Sequence, residues 1–223
     1  MVSFNKFEFV EEIFIVKIGV IQASSQTSKN KILYDLTKET ANADEVVNFG
    51  CFEEEKEIYS YVEISLEIGL LLTSKAVDFI VTGCSSGQGM MLACNNMPHV
   101  ICGYAPTPQD AFLFGRINAG NAISVPLGLN YGWSGEVNLE YTLAALFQKP
   151  FGTGYPIQDA QRKMEDTKLL KSINSLSRIS MVDILNGLDE KFCSKIIEKQ
   201  NVVDYILKYG VEEDIVQWLK NKR

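Results

Sequence analysis

Cys84 stands between the apolar run Val77-Asp78-Phe79-Ile80-Val81-Thr82-Gly83 and the turn Ser85-Ser86-Gly87-Gln88-Gly89, after which helix-forming residues run to Asn96. A strand, a glycine-bearing turn and a helix in that order put the cysteine where open α/β sheets hold ligands, outside the carboxyl ends of the strands. A helix N-terminus stabilises a thiolate, and a thiolate can move a proton. The N–H groups of Ser86, Gly87, Gln88 and Gly89 would face the same space and could hold a phosphate, a carboxylate or an enediolate. Glycines let such a ligand approach the main chain closely. The alternative is a buried cysteine that only ends a core strand.

Sharper motifs fail at this turn. No Lys-Ser or Lys-Thr follows the glycines, which excludes a P-loop. Leu92 occupies the place of the third glycine in a dinucleotide fingerprint. Met90 stands where a cysteine phosphatase loop needs arginine, and Gly83-Cys84-Ser85-Ser86 lacks the second glycine of a nucleophile elbow. Cys84 therefore reads as a base and not as a covalent nucleophile. An FMN- or nucleotide-binding flavodoxin-like protein would rest on fold analogy and on the polar loop Ala23-Ser24-Ser25-Gln26-Thr27-Ser28 alone.

The elements that must position this turn follow from the hydrophobic pattern. Short apolar runs at 16–22, 44–50, 76–83, 100–104 and 122–126 read as buried parallel strands. Helices are expected between and after them, over about 29–40, 60–74, 87–96, 107–118 and 134–147. Ser60-Tyr61-Val62-Glu63 is a capping box, and Thr107-Pro108-Gln109-Asp110 supplies a cap, a first-turn proline and an acid. Strands alternating with helices imply a three-layer α/β/α, Rossmann-like, five-stranded parallel sheet. Phe151-Gly152-Thr153-Gly154-Tyr155-Pro156 reads as a linker, dividing an α/β domain (1–150) from a linker and helical C-terminal extension (151–223). That extension, from Lys163 on, should hold three or four helices, with Leu169, Leu170, Ile173 and Leu176 forming one apolar stripe.

Bulk properties bound the function. A net charge of -7 and a pI near 4.9 without a basic stripe exclude nucleic acid as a partner. Five cysteines without CxxC spacing read as reduced thiols of a cytosolic protein. A single histidine leaves no zinc site, and no cofactor or metal is expected. Acidic residues interrupt the apolar first 16 positions, so neither a signal segment nor a membrane span is read there. Asn5 to Val10 reads as an extra strand or helix, or as sequence ahead of the true start.

Cys84-Ser85-Ser86-Gly87-Gln88-Gly89-Met90-Met91-Leu92-Ala93-Cys94-Asn95 resembles the Cys-Gly-[Thr/Ser]-Gly-x-Gly…Ala-Ala-Asn signature of the ribose-5-phosphate isomerase B and galactose-6-phosphate isomerase family. The similarity runs from about Lys17 to Gly128, and Asn118-Ala119-Gly120-Asn121 resembles that family's His-Asn-Asp-x-Asn before its last strand. The resemblance implies an aldose–ketose isomerase of a small sugar phosphate, working through a cis-enediolate. Cys84 would be the base, Ser86 an assisting hydroxyl, and Ser85, Gly87, Gln88 and Gly89 the cradle for substrate oxygens. Asn118 would bind substrate, and Arg162 would match a phosphate arginine. Pairing of subunits in the family implies a homodimer or a dimer of dimers.

The departures matter as much. The family's Asp-His pair after the first strand is replaced by Ala23-Ser24-Ser25-Gln26, so Ser24 and Ser25 are the candidates for its contacts, with Gln26 and Lys29. Ile117 replaces the ring-opening histidine, and the lone His99 reads as a loop residue. A substrate needing little ring opening, such as a four-carbon sugar phosphate, would suit such a site. A non-catalytic sugar-phosphate-binding subunit or sensor on the same fold is the alternative function.

Overall fold

The computed structural model describes residues 17–41 and 43–223. The segment Asn5 to Val10 lies outside the described residues. Five parallel strands form one sheet: β1 (Lys17–Ile21), β2 (Glu45–Gly50), β3 (Phe79–Cys84), β4 (Cys102–Tyr104) and β5 (Ala122–Pro126), in the spatial order β2-β1-β3-β5-β4. The chain turns first to one side of β1 and then to the other. A switch point therefore lies between β1 and β3, and their carboxyl ends, where the chain diverges, border a crevice.

Helices α1 (Asn30–Thr40), α4 (Pro108–Leu113) and α5 (Gly135–Phe147) cover one face, over a core that includes Leu33, Phe79, Ile123 and Leu143. On the other face lie α2 (Tyr61–Thr73) and α3 (Gln88–Cys94). Ser60 opens α2 by the expected capping box: its hydroxyl accepts the Glu63 N–H at 3.3 Å, and its own N–H donates to Glu63 Oε2 at 2.6 Å. The middle of α2 is buried on every side, from Glu63 through Leu72. A helix apolar all round needs cover on two sides, and the second cover is the C-terminal region.

The C-terminal region holds five helices among the described residues, not three or four: α6 (Ala160–Leu176), α7 (Met181–Gly187), α8 (Glu190–Glu198), α9 (Gln200–Tyr209) and α10 (Glu213–Lys222). The extra break falls at Lys199, whose ψ of 74° ends α8 while the Lys/Ile/Glu pattern continues without a punctuating residue. Met181, Leu185, Ile196, Val202, Ile206, Trp218 and Leu219 join Ile64, Ile68 and Leu71 in one core. The region is thus an outer layer over α2.

The fourth helix is also shorter than the pattern to Asn118 suggests. Beyond Leu113 the chain widens into a π turn, Phe114–Asn118, closed by the Ala119 N–H donating to the Phe114 carbonyl at 2.9 Å. Arg116 anchors this turn beneath the linker. Its guanidinium lies between the Phe112 and Phe151 rings and donates to the Leu146 carbonyl at 3.0 Å, and burial lowers its pKa to about 10.

Candidate active site

Cys84 is the last residue of β3, 8% exposed, and belongs to the core cluster on the α2/α3 side together with Cys51, Tyr59 and Met90. All five cysteines are free thiols. The turn after Cys84 is braced from β5. The Cys84 carbonyl accepts the Leu127 N–H at 3.0 Å, the Ser85 carbonyl accepts those of Gly128 and Leu129 at 3.0 and 2.7 Å, and Ser124 Oγ donates to the Gly87 carbonyl at 2.7 Å. Gly87 caps α3 with a φ of 76°. Ser86 Oγ accepts the Gln88 N–H at 3.3 Å, whereas no partner is found among the described residues for the Ser86 and Gly87 N–H groups. Gln88 is exposed, and Gly89 faces the Tyr61 ring.

The loop after β1 lies against this turn. Gln26 Nε2 donates to Ser85 Oγ at 2.8 Å, with Ser25 Oγ 3.5 Å from the same oxygen. Ser24 is engaged differently: its N–H donates to the Tyr59 carbonyl at 3.0 Å and its Oγ accepts the Tyr59 N–H at 2.8 Å. Ala23 N–H donates to the Gly83 carbonyl at 3.1 Å, tying the loop to the strand that carries Cys84. Lys29 reaches over the Tyr131 ring with its ammonium 4.1 Å from the centroid. Tyr131 also lines a cavity of about 290 Å³ between the ends of β4 and β5 and the starts of α4 and α5. That cavity lies beyond the turn, and Cys84 is not among the residues that line it.

Two expected site residues are elsewhere. Asn118 is exposed and precedes the first residue of β5, while Cys84 pairs with the last, Pro126. Four residues at about 3.3 Å each separate those levels by about 13 Å along the sheet. Arg162 is exposed on α6 and bonds Asp166 at 3.1 Å; α6 packs on the π turn, where Thr167 Oγ1 donates to the Ile117 carbonyl. One chain therefore gathers Ser24, Ser25, Ser85, Ser86, Gly87, Gln88 and Gly89 around Cys84 and leaves Asn118 and Arg162 at the far end. His99 is an exposed loop residue with a φ of 58°. Sequence reasoning overlooked Tyr59 and Tyr61, although the capping box places both at the start of a helix on the ligand side of the sheet. Trp133 is 96% exposed, and Tyr155 packs edge-on against Phe112.

Residues 18–149 match the model of the Ribose/Galactose Isomerase family. The chain belongs to this family. It is a sugar isomerase of the ribose/galactose isomerase type. Among solved structures, it is similar to a 4-deoxy-L-threo-5-hexosulose-uronate ketol-isomerase complexed with a tartrate, at 36% identity and a TM-score of 0.88, over 93% of this chain and 99% of the other. It is similar to a ribose-5-phosphate isomerase from Vibrio parahaemolyticus at 31% identity and a TM-score of 0.87, over the same shares. A type B ribose 5-phosphate isomerase from Trypanosoma cruzi shares the fold at 20% identity and a TM-score of 0.58, covering 71% of this chain and 98% of the other. No curated protein matches. The first two isomerases leave uncovered about 16 of the 223 residues, so their likeness includes most of the C-terminal helices. No described helix is long and apolar enough to cross a membrane.

Proposed function

We propose that the chain isomerises an open-chain sugar through a cis-enediolate, with Cys84 as the base. The supporting observation is Cys84 at the carboxyl end of β3, beside a turn whose Ser86 and Gly87 amides lack partners among the described residues. The thiolate removes the proton from the hydroxyl-bearing carbon next to the carbonyl. The C–H electron pair becomes the carbon–carbon double bond, and the former carbonyl oxygen takes the negative charge beside the turn. Cys84 returns the proton to the former carbonyl carbon while Ser86 passes the hydroxyl proton between the two oxygens. No redox partner is consumed. Donors preset for that oxyanion are worth about 3 kcal/mol each in comparable sites.

The substrate we infer carries a terminal carboxylate. Ala23-Ser24-Ser25-Gln26 offers no ionisable side chain, and Ile117 cannot open a sugar ring. Lys29, over the Tyr131 ring, offers one cation, which matches the single charge of a carboxylate. Likeness to a uronate ketol-isomerase supports this reading. A sugar phosphate is the second reading, favoured by the Vibrio parahaemolyticus relative; a four-carbon one would avoid the need for ring opening.

The site is read as completed by a second copy of the chain. Asn118 would serve the partner's Cys84 turn, and the exposed stripe Leu169, Ile173 and Leu176 on α6 would be covered in the dimer. Sedimentation should give twice the chain's 25.0 kDa. Cys84→Ala and Asn118→Ala should each be inactive and regain activity when refolded together, because one site in the mixed dimer keeps both residues; an active Asn118→Ala would place Asn118 outside the site, and no recovery on mixing would assign it to its own chain's site.

Incubation in deuterated water with uronates, ribose 5-phosphate and an aldotetrose 4-phosphate tests the reaction and the substrate together. Deuterium should enter at C2 of a uronate, and Cys84→Ala should lower that rate about 10³-fold. Exchange into phosphates alone would overturn the carboxylate. Binding without exchange in any sugar would favour a sensor.

A further inference from the structure

The family match stops at residue 149, yet side chains far beyond it reach the loop that borders the site. Lys199, at the α8–α9 junction, is 3% exposed, and its ammonium donates to both oxygens of Glu55 at 2.9 and 3.1 Å. Lys195, four residues earlier, donates to the Ile58 carbonyl at 2.6 Å and pairs with Glu63 at 2.7 Å. Both ammonium groups lie over the Tyr59 ring, at 5.5 Å for Lys195 and 5.0 Å for Lys199. Asn201 adds a bond to the Phe49 carbonyl at 3.0 Å, at the end of β2.

These contacts differ from an ordinary surface ion pair. A buried ammonium is costly to desolvate, and only complete pairing offsets that cost. Here the pairing converges on one short stretch, the connection from β2 to α2, at Glu55, Ile58 and Tyr59. Tyr59 meets the site directly through two parallel hydrogen bonds, since its N–H and carbonyl are both partners of Ser24. Ser24 in turn lies between Ala23, bonded to Gly83, and the Ser25-Gln26 pair beside Ser85.

We propose that Lys195 and Lys199 are positioning residues through which the C-terminal helices set the place of the Ser24-Ser25-Gln26 loop against the Cys84 turn. They act on Tyr59, Tyr59 acts on Ser24, and the loop so placed contributes to binding the sugar beside the turn. This rests on the reading above that the substrate lies between loop and turn. A brace serving stability alone would also need these lysines, and the two roles separate by what moves when they are removed.

The test uses the full chain with Lys199→Met, Lys199→Arg and the less buried Lys195→Met, so that poor folding of the first leaves the third to decide. Hydrogen exchange is followed at the Ser24 and Tyr59 amides and, as an internal standard, along β3. Ser24 and Tyr59 should exchange at least tenfold faster in the Met variants, with β3 unchanged and Lys199→Arg close to wild type. With the sugar identified by the panel, KM should rise about tenfold while kcat stays within threefold, and Lys199→Arg should restore KM. Unaltered exchange at Ser24 and Tyr59, or faster exchange throughout the sheet, would overturn the proposal and leave the lysines as a brace. If the wild-type chain isomerises no sugar, the functional reading falls, while the exchange measurement still decides the coupling.

Discussion

Gly87 meets two constraints that any side chain would break. Its φ of 76° lies in the left-handed region, and an added Cβ would come 2.8 Å from the Tyr104 ring and 2.9 Å from the Val125 carbonyl carbon. Gly87→Ala should cost on the order of 1–2 kcal/mol through the backbone alone, with the clash adding to it and the turn's amides displaced. A urea midpoint and the deuterium-exchange rate read the two effects; full activity at a lowered midpoint would show that the turn can move without harm. Glu67 is a second misfit: it is fully buried, and neither carboxylate oxygen has a partner among the described residues. Burial pushes its pKa well above the usual range, Glu55 pushes it the same way, and Lys199 opposes both. Its folded pKa exceeds the unfolded value of about 4.3, so its contribution is full below that pH and is lost as pH rises through the folded value. Glu67→Gln should match wild type near pH 4 and exceed it at pH 8, by about 1.4 kcal/mol per unit of displacement. Parallel midpoint-against-pH curves would mean that Glu67 is ionised where it stands. Cys84 and its turn were legible because strand, glycines and helix are contiguous. The engagement of Ser24 was not, because its partner Tyr59 lies 35 residues away and is bonded through the main chain, which leaves no side-chain signature.

At the scale of elements, boundaries were readable where a side chain marks them. Ser60 and Thr107 cap α2 and α4 as their spacing implies, and Ser180 accepts the Asp183 N–H at the start of α7. Ser60→Ala should cost about 1 kcal/mol, seen in thermal unfolding; no change would mean that Glu63 and Lys195 hold the end of α2 unaided. The π turn and the Lys199 break were not readable: Gly115 inside the turn is a residue that an ordinary helix also tolerates, and Lys199 carries no glycine, proline or cap. The apolar sequence of α2 was plain, but a helix apolar all round names no partner. Only the packing of α7 to α10 shows why it needs two. Leu70→Ala, at the middle of that sandwich, should cost about 2–5 kcal/mol; a smaller loss in denaturant titration would indicate collapse around the gap.

For the whole molecule, the alternation of strands and helices was enough to give a parallel sheet with both faces covered. It also contained a fact that motif matching passes over: in a parallel sheet, a residue just before one strand cannot meet a residue just after its neighbour. Asn118, ahead of β5, and Cys84, at the end of β3, stand in that relation, which is why the functional reading calls on a second copy of the chain. The outer layer was legible as helices, whereas its destination was not, because apolar stripes pack equally well on the chain's own core or on a partner.

The double cover of α2 also bears on how the chain reaches this structure. Val211 N–H donates to the Ser74 carbonyl at 2.8 Å, and Lys195 reaches the Ile58 carbonyl across 137 residues, so the second cover arrives through contacts distant in sequence. Loop closure over such spans is slow relative to the local strand–helix pairing of the sheet. A sheet formed first would present the outer side of α2 to solvent until the C-terminal helices dock. Exposed apolar faces of that kind associate between chains. Refolding yield should therefore fall as protein concentration rises, and the soluble aggregates formed should have native-like strands with α2 still accessible to protease.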